Sequence, residues 1–87
     1  MSSRVLQLPQ EVSGKIRELM RVSKEIAAYL NRDFREEFET KMSDIIADLA
    51  TYFVAKAKEQ EPFLVLSIGV DLDKEEVTVK VEEEESS

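Results

Sequence analysis

Between Phe34 and Ala57 the apolar residues recur at helical steps: Phe34, Phe38, Met42, Ile45, Ile46, Leu49, Ala50, Phe53 and Ala57. Steps of three and four, with two adjacent pairs, predict an amphipathic helix whose broad apolar face forms the core. Upstream, Val12, Ile16, Leu19, Val22, Ile26 and Leu30 follow the same kind of spacing, with Met20 and Ala27 widening the stripe. That predicts a first helix over about 9–31, opened by Pro9, whose fixed φ suits a first helical turn. A strict heptad would place Ser23 at the centre of the stripe, where its hydroxyl can bond back to its own helix and let a neighbour approach, but a tolerated serine at the core edge is the favoured reading. Gly14 costs this helix about 1 kcal/mol relative to alanine, unless the helix begins after it or another backbone comes close there.

After Leu30 the phase changes, since the next positions on that side are Asp33 and Glu37. Asn31 suits a helix end, and Asp33 with Glu36 has the outline of a capping box, so a second helix is expected over about 34–60. A single rod from Pro9 to Gln60 is the alternative, because Ile26, Leu30, Phe34 and Phe38 also step by fours. Pro62 ends helical continuation in either case.

Beyond Pro62 the period falls to two. Leu64, Leu66, Ile68, Val70 and Leu72 alternate with Phe63, Val65, Ser67, Gly69 and Asp71, which predicts a strand with one aliphatic face. A turn around Asp73 and Lys74 then leads into a return strand carrying Val77, Val79 and Val81. On this alternation Phe63 and Val65 point away from the core and form an exposed apolar patch. Arg4 to Leu8 is a further short extended segment, and residues 83–87 form an acidic tail.

These elements make one α+β domain over residues 1–87, an antiparallel helical hairpin followed by an antiparallel β-hairpin over about 63–82. A β-hairpin is marginal alone, and here both of its edges would be unpaired. Two copies packed in two layers would cover the surplus, so a homodimer is expected, with Val12, Ile16, Leu19, Val22, Ile26, Leu30, Phe63 and Val65 as the interface to the second copy or another protein.

Composition narrows the chemistry. The chain has neither cysteine nor histidine, which removes thiolates, disulfides and the commonest general base and metal ligand. Carboxylates, lysines and hydroxyls in so small a body argue for a non-catalytic protein without cofactor or metal. Asp44 and Asp48, one turn apart near Glu37 and Thr40, could be drawn as a hard-cation site, but solvent-facing carboxylates are the plainer reading. No apolar run is long enough to span a bilayer and no secretory signal is evident, so a cytoplasmic location is expected. Many Glu, Lys and Arg beside a single asparagine resemble heat-adapted composition.

The net charge of −7 is uneven, +3 through Arg35 and −10 beyond it. Arg4, Arg17, Arg21 and Lys24 therefore suggest an alternative function, contact with the phosphates of a nucleic acid. Arg4, Val5, Leu6, Gln7, Leu8, Pro9 and Glu11, followed by helical periodicity, resemble the opening of a ribbon-helix-helix DNA-binding protein, whose paired N-terminal strands enter the major groove. The chain lacks that family's glycine-containing turn before a second helix with an early serine or threonine, so the family's function is not carried over. The leading expectation is an interaction or assembly component acting as a homodimer.

Overall fold

A computed structural model describes residues 2–83. The element order is β1 (Ser3–Leu6), α1 (Gln10–Ala27), α2 (Arg32–Lys58), β2 (Phe63–Asp71) and β3 (Glu76–Glu83). The three strands form one antiparallel sheet in the order β1-β3-β2, and both helices belong to one body with it. The fold is therefore α+β, as the two periodicities implied. The extended N-terminal segment is a true strand that covers one edge of β3, so the expected isolated hairpin is corrected to a three-stranded sheet. Glu83 closes β3, and the remainder of the expected acidic tail lies outside the described residues.

The helices are separate. Pro9 caps α1 from outside, its carbonyl accepting from the Ser13 amide at 2.9 Å. Ser13 Oγ also donates to that carbonyl at 3.2 Å. The cap of α2 is Asn31, whose Oδ1 accepts from the Phe34 amide at 3.2 Å, two residues earlier than the Asp33 cap expected from the sequence. This satisfies one orphan amide at the helix start. Arg35 then reaches back, its Nε donating to the Ala27 carbonyl at 3.0 Å and its Nη2 to the Leu30 carbonyl at 3.1 Å. The Ala27 carbonyl also accepts from the Leu30 amide at 3.0 Å, so Arg35 adds a second donor at the end of α1 and ties the connection to the second helix.

The core lies between helices and sheet in two adjoining clusters. Ile16, Met20, Ile46 and Leu72 make one, and Val54, Phe63, Val79 and Val81 make the other, with Leu8 and Val77 packed against both. Ser23 is buried in α1 and donates to the Leu19 carbonyl at 2.8 Å, so it makes the back-bond and is not the plain core-edge serine favoured from the sequence. Gly14 sits well inside α1, and nothing lies within 4 Å of the position its Cβ would take.

The strand β2 departs from its simple alternation. Val65 stands opposite Val81, but Ser67 stands opposite Lys80, so Leu66 is an extra residue in a β-bulge. Before the bulge, Phe63 and Val65 share the inner face with Val81; after it, Ile68 and Val70 do so with Val79 and Val77. Phe63 is consequently 0% exposed, whereas Leu64 and Leu66 are 49% and 52% exposed. The expected outward Phe63 is thus corrected. A one-residue insertion exchanges the two faces of everything beyond it, which is why the sequence pattern is right for only half of this strand.

At the far end, Asp71 Oδ1 accepts from the amides of Asp73 (3.0 Å) and Lys74 (3.1 Å), shaping the turn. Glu75 completes it with φ 54°, a left-handed conformation that side chains disfavour.

Candidate interaction surface

The second helix divides its apolar residues between two directions. Ile46, Ala50 and Val54 are buried toward the sheet. Phe34 (61% exposed), Ile45 (49%) and Tyr52 face solvent, with Phe38, Leu49 and Phe53 half-buried beside them. The single core face expected from Phe34 to Ala57 is corrected accordingly, and Val54, absent from that stripe, proves to be part of the core. The warning lay in the width of the pattern. Its positions sweep nearly half the helix circumference, more than one contact can shelter.

The first helix repeats this division. Ile16, Met20, Ser23 and Ala27 are buried, while Val22 and Ile26 are exposed and Val12 and Leu19 are half-buried; α1 ends at Ala27 and not near 31, so Leu30, half-buried, lies in the connection. Val12, Ile16, Leu19, Leu49 and Phe53 line an open groove between the helices, with Glu11 and Lys15 at its rim. The outer surface of the helix pair therefore carries a strip of exposed and half-buried apolar side chains, with charged ones among them, along an elongated body of 54 × 24 × 18 Å. Of the residues expected at an interface, Val12, Leu19, Val22 and Ile26 lie on this strip. Ile16 contributes only to the groove floor, Phe63 is in the core, and Val65 is partly exposed on the sheet.

Arg17, Arg21 and Lys24 share one side of α1, Arg4 stands apart on β1, and three of the four have a partner in the chain. Arg4, on β1, lies 3.2 Å from Glu61 and 3.1 Å from Glu83. Arg17 lines a cleft that also holds Glu75 and Glu76. Arg21 approaches Glu18 at 3.9 Å, not the Glu25 one turn ahead, and Lys24 Nζ donates to the Asp73 carbonyl at 3.2 Å. β1 pairs with β3 of its own chain. No group of three or more metal-ligating side chains comes together among the described residues, and no helix there is long and apolar enough to cross a membrane.

Comparison with protein-family models, with curated proteins and with solved structures finds no significant match. The functional reading rests on the surface itself.

Proposed function

We propose that this chain is a non-catalytic assembly component that acts as a homodimer through the outer face of its helix pair. The observation that carries the reading is the second apolar stripe, present on both helices and pointing away from the sheet. Apolar side chains left exposed along two neighbouring helices, with an open apolar groove between them, are the kind of surface that supports association.

The nucleic-acid alternative draws less support. Arg4 and Arg21 face carboxylates of the same chain, and Lys24 is held by a backbone carbonyl. Counterion release requires cations free to meet phosphate.

Sedimentation equilibrium between micromolar and hundreds of micromolar tests the homodimer. Twice the 10.0 kDa chain mass is expected, reverting to the single mass when Ile45→Asp places a charge on the strip. A monomer mass across the whole range for the unaltered protein overturns the reading.

A further inference from the structure

The stripe on α2 has charged neighbours, and their order selects how a second copy can lie on it. Phe34, Phe38, Ile45, Tyr52 and Lys56 step along the outer face at spacings of four and seven. Beside them, on one flank, run Glu37, Lys41, Asp44 and Asp48, all exposed. Lys41 is the single cation of that flank. Within its own chain it lies 3.1 Å from Glu37, a pair in which both side chains are mostly solvated.

In a parallel, in-register pair the flank of one helix faces the opposite flank of its mate, so Lys41 would lie toward Met42 and Leu49 and meet no carboxylate there. Antiparallel about a twofold axis at Ile45, like flanks meet: Asp44, beside the axis, faces its own mate, and the residues farther out exchange partners. Lys41 falls beside Asp48 of the second copy, and Asp48 beside its Lys41. Phe38 falls against Tyr52, and Phe34 against Lys56, whose ammonium meets an aromatic face. Ile45 packs on its own symmetry mate. The same axis sets the two helix dipoles head to tail. An isologous contact needs this kind of self-complementarity, in which each residue's partner is also its partner's partner.

We infer that the occupant of the outer helix strip is a second copy of this chain, with its α2 antiparallel and centred on Ile45, held in register by Lys41 and Asp48. This inference rests on the reading of that strip as a self-association surface and adds its geometry.

The absence of native cysteine makes the test clean. Phe38→Cys and Tyr52→Cys are prepared separately, and each is oxidised alone and then in a mixture. The inferred axis leaves each cysteine about 20 Å from its own mate at 1.5 Å per residue but brings the two different ones together. Covalent dimers are therefore expected from the mixture and not from either variant alone. Ready self-linking of each variant means a parallel pair and overturns the inference. No linking in the mixture, while the unaltered protein sediments as a dimer, overturns the axis but leaves the homodimer reading standing; a monomer mass removes both.

A charge exchange gives a second readout. Lys41→Asp or Asp48→Lys, by creating two like-charge contacts per dimer, is expected to weaken association about tenfold, and the two together restore it. Thermal melting by circular dichroism shows whether each variant still folds. Folded single variants that associate normally, or a folded double variant that stays weak, overturn the pairing.

Discussion

Arg35 belongs to the second helix but bonds the end of the first, donating to the Ala27 carbonyl at 3.0 Å across the four-residue connection. A second donation to Leu30 at 3.1 Å makes the guanidinium a clasp that fixes the angle between the helices. That angle sets the outer strip, because the groove between Leu19 and Phe53 exists only while α1 and α2 lie side by side.

Removing the clasp should cost stability. Arg35→Ala is expected to destabilise the fold by about 1.5–3 kcal/mol, the range for hydrogen bonds to a charged group. Arg35→Lys should recover only part of it, since a single ammonium cannot reproduce the planar fork. Urea unfolding of the three proteins checks the order.

The bulge at Leu66 reverses the ranking that simple alternation implies for two neighbouring residues. Phe63→Ala should cost about 3–5 kcal/mol by emptying a filled core site, while Leu64→Ala should cost under ~1 kcal/mol. Equal losses in a denaturant titration would mean that the register of β2 and β3 is not the one described.

The turn at Glu75 stores local strain. Glu75→Gly permits the positive φ without steric penalty and should stabilise the protein by about 0.5–1 kcal/mol. An unchanged or lowered melting temperature would count against the left-handed geometry.

Gly14 lies inside α1 with open space where a side chain would go. Gly14→Ala should therefore raise stability by about 1 kcal/mol. If stability rises but the dimer weakens in sedimentation, the partner approaches this part of α1 more closely than the axis at Ile45 requires.

Binding to duplex DNA is expected to be undetectable by fluorescence anisotropy at 50 mM salt. Phosphate-dominated binding would be strong there and lost steeply toward about 200 mM. Tight binding at low salt would restore the nucleic-acid alternative, with Arg17 and Lys24 as the residues to substitute first.

Much of this protein can be read from local order in the chain. The step of three and four marks both helices, the alternation after Pro62 marks the strands, and Asn31 and Asp33 mark the break between helices within two residues of its position. Each depends on contacts between near neighbours, which sequence spacing records directly. The pairing of β1 with β3 joins residues at opposite ends of the chain, and no local signal announces it.

The choice of faces is likewise long-range. An apolar arc on α2 declares that something must cover it, but whether the sheet takes Ile46 or Ile45 depends on where α1 and β2 leave room. The bulge at Leu66 arises because β2 must match Val65 to Val81 at one end and Ile68 to Val79 at the other with one residue too many between them. Local periodicity thus determined which residues seek burial, and tertiary packing decided which of them find it within one chain. Those left on the outer strip are apolar for the same physical reason as the core, and the antiparallel second copy is what would take them out of water.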